Sequence, residues 1–234
     1  LGAPDRAARE PWSFGVYGDV QDAIDRVQDI YRRMNEESTV RFVVIVGDLT
    51  EEGTPDQLER FARELKTLTR PVYATLGNHE LGDADVPYHA HYGRGSSHFV
   101  FRGVHFTLLD SASATIDPIV YGWLDGWLAE GASDLHVVGM HIPPLDAEGV
   151  RNGSFTSRAE ANKLLGRLAR GGVDLSVYGH VHSYYAFANA GIPAFITGGG
   201  GAIPERMDGI GRHFLVFDAD PASARITGRL VRVD

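Results

Sequence analysis

The chain has 234 residues, of which 43% are hydrophobic and 23% are charged, proportions typical of a globular protein rather than a disordered one. Its formal net charge of −9 argues against a nucleic-acid or anionic-membrane partner, because such surfaces are bound through Lys and Arg. The absence of cysteine excludes disulfides, thiolate nucleophiles and cysteine-bound zinc, and no apolar run reaches the ~20 residues that a membrane-spanning helix needs.

The chain divides into a short tail and one domain. Residues 1–12 are predicted to form an N-terminal tail, and residues 13–234 a single domain, since neither a repeat nor a linker interrupts them. Because the first residue is Leu and not Met, we expect an upstream segment to have been removed, either a signal or lipid-anchor peptide or residues lost by truncation. An extracytoplasmic location fits the first case, and a cytoplasmic one is equally open in the second.

Strand and helix patterns alternate in the first third of the chain. Apolar residues recur with a 3.6-residue period from Val20 to Met34, and a capping box at Thr54 begins a second helix that ends before Pro71. Three apolar runs, at residues 13–17, 42–46 and 72–76, predict strands. This alternation predicts right-handed crossovers and a largely parallel sheet.

The pattern changes after residue 97. A hairpin with a two-residue turn is predicted first, and alternating helices and strands follow it. The predicted elements are the hairpin 98–109, helix 121–130, strand 135–140, helix 157–171 and strand 175–178. Residues 184–234 alternate short strands with Gly- and Pro-rich turns and are predicted to be antiparallel.

Potential metal ligands follow five of the predicted strands. They stand in the segments Gly18–Gln21, Gly47-Asp48, Gly77–Glu80, Gly139–Pro144 and Gly179–His182. Ligands of layered α/β folds bind at the carboxyl ends of strands, so these side chains are predicted to converge there. The candidates are Asp19, Asp48, Asn78, His141, His180 and His182.

Such a mixed set of oxygen and nitrogen donors suits Fe, Mn or Zn, and it is too large for one ion. Two ions ~3.5–4 Å apart, sharing one carboxylate, can hold a hydroxide that is nucleophilic at neutral pH. The resulting cationic centre is suited to neutralising a phosphoryl group in the transition state.

The order of these five blocks, over about residues 14–182, resembles that of the calcineurin-like metallophosphoesterase superfamily, which includes purple acid phosphatases and cyclic-nucleotide phosphodiesterases. The resemblance implies an α/β fold, a four-layer αββα sandwich of two mixed β-sheets flanked by helices, with the metal site at the carboxyl ends of strands. It also implies two divalent or trivalent metal ions, one held by Asp19, Gln21, Asp48 and His182 and the other by Asp48, Asn78, His141 and His180.

The resemblance further implies roles for residues around the ions. His79 would stabilise the phosphate and protonate the leaving oxygen as general acid, and Glu80 would support the ligands. Asn78, His79 and Arg151 are candidates for contacting substrate phosphate. Most members have His where this chain has Gln21, and because an amide oxygen is the weaker donor, a looser first metal shifted toward Mn or Mg is expected.

Other conspicuous residues are predicted to be structural. The glycines at 198–201 lack a following helix signature and are expected to form a tight turn near the metal edge, and Asp110-Ser111 is expected to brace the site. Four histidines in or beside strands need no function: His98, His105, His136 and His213.

The sequence therefore predicts a dinuclear-metal phosphoesterase that hydrolyses phosphomonoesters, phosphodiesters or both by attack of a metal-bridging hydroxide. The expected partner is a small phosphate ester or a nucleotide. Two alternatives stay open: a nucleotide or lipid pyrophosphohydrolase, and an inactive protein-interaction module of the same fold.

Overall fold

A computed structural model describes residues 8–82, 86–146, 149–150, 152–204 and 209–234. The strands in these ranges are β1 Trp12–Tyr17, β2 Val40–Val46, β3 Val72–Thr75, β4 Ser97–Phe101, β5 Val104–Leu109, β6 Leu135–Met140, β7 Leu175–Tyr178, β8 Tyr184–Asn189, β9 Ile192–Thr197, β10 His213–Asp220 and β11 Arg225–Arg232. The α-helices are α1 Gln28–Asn35, α2 Pro55–Leu65, α3 Tyr88–Tyr92, α4 Pro118–Glu130 and α5 Arg158–Arg170, and 3-10 helices cover Gln21–Arg26 and Asn78–Leu81.

The strands form two mixed sheets, as predicted. The first sheet has the order β11-β10-β1-β2-β3, with β1, β2 and β3 parallel and β10 antiparallel to β1. The second has the order β4-β5-β6-β7-β9-β8, with a parallel centre and antiparallel strands at both edges. The expectation of a wholly antiparallel segment after residue 184 is wrong, because β9 pairs in parallel with β7.

Three hydrophobic clusters separate four layers. Alternation along β2 shows how: Val43 and Ile45 face the helices α1 and α2, whereas Phe42 and Val44 face the second sheet. A third cluster packs α4 and α5 against the other face of the second sheet. The predicted αββα sandwich is therefore confirmed.

Aromatic side chains fill much of the space between the sheets. Phe14 meets Phe106 of the second sheet edge-on at a centroid distance of 5.0 Å, and Phe42 packs against Phe106 at 5.1 Å. Trp12 is 3% exposed in the same cluster, so β1 begins one residue inside the segment predicted as tail. These contacts hold the two sheets face to face and fix the relative position of the loops at their ends.

The helices begin largely where the sequence predicts. The Thr54 hydroxyl accepts from the Gln57 amide at 3.4 Å at the start of α2, and Ser157 accepts from Glu160 at 3.3 Å at the start of α5. The single helix predicted over residues 20–34 is instead a 3-10 helix followed by α1, because Ala23 departs from helical geometry. No helix in the described part of the chain combines the length and apolarity needed to cross a bilayer.

Candidate metal centre

Five loops meet at one edge of the sandwich, where β1, β2, β3, β6 and β7 end. Backbone hydrogen bonds join them: the Asp19 amide donates to Gly47 O at 3.1 Å, and the His180 amide donates to Asp19 Oδ1 at 2.9 Å. All seven predicted ligands stand on these loops: Asp19, Gln21, Asp48, Asn78, His141, His180 and His182. The two sheets thus contribute side chains to one site.

Asp48 lies at the centre of this site and is 1% exposed. Its Oδ2 is 3.1 Å from His141 Nε2 and accepts a hydrogen bond from the Gln21 amide nitrogen at 3.2 Å. Its Oδ1 accepts from the backbone amide of His79 at 3.0 Å. Both carboxylate oxygens are therefore directed by neighbouring loops, which leaves Asp48 a single orientation.

The candidate ligands fall into two groups that share Asp48. One group is Asp48, His141 and His180, and the other is Asp19, Asp48 and His182; within each group the ligand atoms lie within 4.8 Å of one another. Two amide side chains extend these groups. Asn78 Oδ1 lies 3.0 Å from His141 Nε2, and the Gln21 side-chain nitrogen lies 3.1 Å from His182 Nε2.

Each candidate histidine has one ring nitrogen held by a backbone carbonyl. His141 Nδ1 and His182 Nδ1 both lie 2.7 Å from carbonyl oxygens, those of Val46 and Ile203, and His180 Nε2 lies 2.8 Å from the Asn152 carbonyl. An N–H donated to each carbonyl leaves the opposite nitrogen with a lone pair, which is the arrangement typical of metal-bound histidine. Sequence reasoning missed these carbonyls, since a backbone acceptor has no residue signature.

Electrostatics in the site favours positive charge. Burial disfavours the imidazolium of His141, but Asp48 outweighs it and raises the pKa of His141 to about 9. Burial of His182 is likewise outweighed, by Asp19, which raises its pKa to about 9. Burial raises the pKa of Asp48, yet His141 and His79 hold it well below its ordinary value.

The donor set fits metal ions. His141 Nε2 lies 3.1 Å from Asp48 Oδ2 and 3.0 Å from Asn78 Oδ1, and with the ring's Nδ1–H donated to the Val46 carbonyl all three atoms are acceptors. Such acceptors need a cation between them, either a proton or a metal. Two carboxylates, three imidazoles and the amide oxygen of Asn78 match the oxygen and nitrogen ligands of first-row transition metals. Gln21 directs its amide nitrogen, a donor, at Asp48 and His182, so its side-chain amide would have to turn over to present its oxygen to an ion.

Glu80 is buried behind the site and joins two of its loops. Its Oε1 accepts from the Thr50 amide at 2.9 Å and from the Thr50 hydroxyl at 3.2 Å, and its Oε2 accepts from the Gly77 amide at 2.8 Å. Burial, and then the nearby Asp48 charge, raise the pKa of Glu80 to about 7. The side chain thus ties the Asp48 loop to the Asn78 loop, which is the supporting position expected for it.

His79 stands at the rim of the site and is part-exposed. Its Nδ1 lies 2.6 Å from the Glu51 carbonyl, and its Nε2 lies 3.9 Å from Asp48 Oδ2. A hydrogen bond from Nδ1–H to Glu51 fixes the ring so that Nε2 faces the candidate ligands. Arg151, the remaining residue predicted to contact substrate, lies outside the described residues.

The backbone of the site is strained at the ligand positions themselves. Four of the seven candidates have positive φ although none is glycine: Asp19 at 65°, Gln21 at 48°, Asp48 at 51° and His180 at 71°. Left-handed backbone is uncommon for such residues and concentrates at functional sites. The fold therefore imposes the direction of these side chains.

Close approach of the loops also requires small residues. A Cβ at Gly77 would overlap Asp48 Oδ1, so only glycine fits there. The glycine run at 198–201 packs against the first loop, as expected, with the Gly200 amide donating to Gly18 O at 2.8 Å. The Ser111 hydroxyl accepts from the Ile142 amide at 2.8 Å and braces the loop that carries His141.

Two cavities open near this edge. One, of about 560 Å³, is lined by the candidate ligand His182 together with Arg26, Ala202, Ile203 and Arg212. The other, of about 770 Å³, lies beside Trp123, and none of its described lining residues is a candidate ligand. Of these two cavities, only the smaller has a candidate ligand, His182, among its described lining residues.

Known proteins resemble this chain in sequence and in fold. A 3′,5′-cyclic-nucleotide phosphodiesterase of Nostoc sp. is 22% identical over 153 residues, which is 61% of this chain and 56% of that relative. The crystal structure of a dimetal phosphatase from Danio rerio superposes with a TM-score of 0.71 at 14% identity, covering 95% of this chain and 99% of the other. GAP50, an anchor in the inner membrane complex of Plasmodium, also gives 0.71 at 15% identity, covering 96% and 85%.

The part of the chain that carries these ligands matches a known protein family. A sequence model of calcineurin-like phosphoesterases matches residues 13–184, which include all seven candidate ligands and His79. This match covers most of the chain and agrees with the two mixed sheets and flanking helices of the structure. The chain therefore belongs to the calcineurin-like phosphoesterase family.

Proposed function

We propose that the protein is a dinuclear-metal phosphoesterase that hydrolyses phosphomonoesters, phosphodiesters or both. The observation that carries this proposal is the position of Asp48, which belongs to both groups of candidate ligands. One carboxylate shared between two ligand sets is what a bridged pair of ions requires. Manganese, iron and zinc all suit the oxygen and nitrogen donors.

The position of each residue suggests its role in the proposed reaction. Asp19, Gln21, Asp48 and His182 would hold one ion, and Asp48, Asn78, His141 and His180 would hold the other. When bound, such ions lower the pKa of water and neutralise charge on the phosphoryl group. The ring of His79, held by the Glu51 carbonyl, would donate the Nε2 proton to the leaving oxygen.

The cavity beside His182 offers space for the organic part of the ester. Its Ile203 side chain is 75% exposed, and its wall also contains Arg26 and an ion pair between Arg212 and Asp234, so it combines an apolar contact with charged groups of both signs. A nucleoside or another small alcohol fits such a lining. The resemblance to a cyclic-nucleotide phosphodiesterase favours a phosphodiester as the substrate. The resemblance to a dimetal phosphatase is the reason that phosphomonoesters are proposed as well.

Metal analysis joined to an activity assay tests the proposal. We expect purified protein equilibrated with Mn²⁺, Fe²⁺ or Zn²⁺ to retain two ions at the Asp48 centre and to hydrolyse p-nitrophenyl phosphate or bis(p-nitrophenyl) phosphate. Activity should disappear with a chelator and return with added metal. A folded protein that binds metal at Asp48 but hydrolyses neither ester, nor a panel of nucleotide diesters and diphosphates, would indicate an interaction module instead.

A further inference from the structure

Three histidines that looked unrelated in the sequence lie together on the second sheet, away from the metal centre. His98 is opposite Thr107 in the pairing of β4 with β5, and His105 is opposite His136 in the pairing of β5 with β6. His136 is five residues before His141 on an extended strand, about 16 Å away at ~3.3 Å per residue. These three residues, called the histidine cluster, therefore lie at the other end of the strands from the metal centre.

Two of these rings have nitrogens that face each other. His105 Nδ1 and His98 Nε2 are 3.2 Å apart. Two ligand nitrogens at 2.0–2.1 Å from a tetrahedral zinc ion are separated by roughly 3.3 Å. The spacing of the two rings therefore already matches that of a zinc-bound pair.

The outer nitrogen of His98 has a hydrogen-bonding partner, and that of His105 lies near a carboxylate. His98 Nδ1 is 2.9 Å from the Thr107 hydroxyl, and His105 Nε2 is 3.7 Å from a carboxylate oxygen of Asp134. The Thr107 hydroxyl is also 2.8 Å from His136 Nε2. If Thr107 donates to His136 it accepts from Nδ1–H of His98, which leaves the His98 lone pair directed at His105.

The surroundings bury this cluster and pack against its rings. His105 is 3% exposed, and the ring of His98 stacks on Trp127 at a centroid distance of 5.5 Å. Burial, and then the neighbouring His98 and His105 rings, lower the pKa of His136 to about 3, so that ring stays uncharged and able to accept from Thr107. The Thr107 hydroxyl can therefore donate to His136 and accept from His98.

Glu130, the last residue of α4, supplies a carboxylate to the same point. The ligand atoms of His98, His105 and Glu130 lie within 4.8 Å of one another. We propose that these three side chains form a second, separate site for a single Zn²⁺ or a similar borderline divalent cation, with water in the fourth position. Two nitrogens and one oxygen suit zinc, cobalt or nickel rather than magnesium or calcium.

Such an ion would join three parts of the fold. It would link β4, β5 and the carboxyl end of α4, where a cation also interacts favourably with the helix dipole. Its role would be structural, because binding to the folded state alone stabilises that state. The site does not depend on the proposed phosphoesterase chemistry, since none of its ligands belongs to the Asp48 centre.

Anomalous diffraction at the zinc edge locates the ion directly. We expect wild-type crystals equilibrated with Zn²⁺ to show a peak between His98 and His105, in addition to peaks beside Asp48. H98Q should lose the first peak and keep the others. A peak beside Asp48 alone overturns the proposal and leaves the proposed phosphoesterase intact.

Zinc stoichiometry in solution gives a second, independent measurement. After equilibrium dialysis, we expect wild-type protein to retain one more equivalent of zinc than H98Q, and E130Q to bind the additional ion at least tenfold more weakly. Both variants should keep the wild-type hydrolysis rate. The matched control is E59Q, which alters an exposed glutamate on α2 and should bind zinc like wild type. Equal stoichiometry and affinity in all four proteins would contradict the site.

Discussion

Asp48 Oδ2 lies 3.1 Å from His141 Nε2, although the two residues follow strands of different sheets. This contact joins a candidate ligand of the first sheet to one of the second sheet, and both side chains are buried. Because Asp48 also touches Gln21 and His79, its carboxylate is the point on which the site depends.

We expect D48N to abolish metal binding at one or both positions and to reduce hydrolysis by about 10³-fold or more, since the bridging charge supplies several kcal/mol of transition-state stabilisation. Metal content and kcat/KM for p-nitrophenyl phosphate check this. D56N, which alters an exposed aspartate of α2, is the control and should behave as wild type. Full activity in D48N would remove the basis for the dinuclear site.

His79 makes a sharper prediction because its role depends on the leaving group. H79N should retain both metals and lose about 10²–10⁴-fold in rate with a poor leaving group such as an alkyl ester. The loss should be much smaller with p-nitrophenol, which leaves without protonation. The exposed His91 provides the control variant H91N. An equal loss for both esters would show that His79 is not the general acid.

Gln21 should set the strength and preference of the first metal. Its amide lies within 3.2 Å of Asp48 Oδ2 and 3.1 Å of His182 Nε2, a position from which an imidazole would also reach the ion. We expect Q21H to bind Zn²⁺ or Fe²⁺ about tenfold more tightly and to lose preference for Mn²⁺. Calorimetric titration with each metal measures both. Unchanged affinities in Q21H would refute this account of Gln21.

Glu80 should matter for stability more than for chemistry. E80A leaves the buried amides of Thr50 and Gly77 without an acceptor and opens a cavity, so it should lower the free energy of unfolding by about 2–4 kcal/mol. Urea denaturation in the presence of a chelator measures the difference. E52A, at an exposed position, should cost almost nothing. A stability equal to wild type in E80A would mean that the loops are held by other contacts.

The stability of the metal-free protein should fall as pH rises above 6.5. The pKa of His141 and that of His182 are both raised to about 9, so the folded state holds their protons more tightly than the unfolded state, in which both stay near 6.5. Their stabilisation is complete below pH 6.5 and is lost as pH rises through about 9.

Chelated protein should therefore unfold more easily at pH 9 than at pH 6.5, and metal should bind more tightly at pH 9 because fewer protons compete. Urea denaturation across this range measures the first effect, and metal titration measures the second. H182Q should show a shallower decline than wild type. A stability that is flat or rising in chelated wild-type protein would contradict the charge arrangement described at Asp48.

The sequence predicted the strands that position the site well, because each is rich in β-branched or aromatic residues and has a candidate ligand within three residues of its carboxyl end. The sequence predicted helix boundaries poorly where they depend on backbone dihedral angles. The helix expected over residues 20–34 is interrupted, since Gln21 has a positive φ and Ala23 departs from helical geometry within the 3-10 helix that precedes α1. Helix α3 has no strong periodicity and was not predicted.

Contacts between residues far apart in the chain could not be predicted from the sequence either. The carbonyls of Val46, Asn152 and Ile203 orient three imidazoles, yet any residue type can supply a carbonyl. The histidines at 98, 105 and 136 were each predicted to be structural, because their proximity depends on the register of β4, β5 and β6. Residue type indicated the chemistry, and pairing between strands decided which residues meet.

The last fifty residues complete both sheets, since β10 covers the open side of β1 and β9 covers that of β7. A chain cut at residue 184 would keep every candidate ligand but expose the edges of β1 and β7, with their unsatisfied amides and carbonyls. The segment that matches the family is thus smaller than the two complete sheets. We expect such a fragment to self-associate through its open strand edges rather than fold into an active protein.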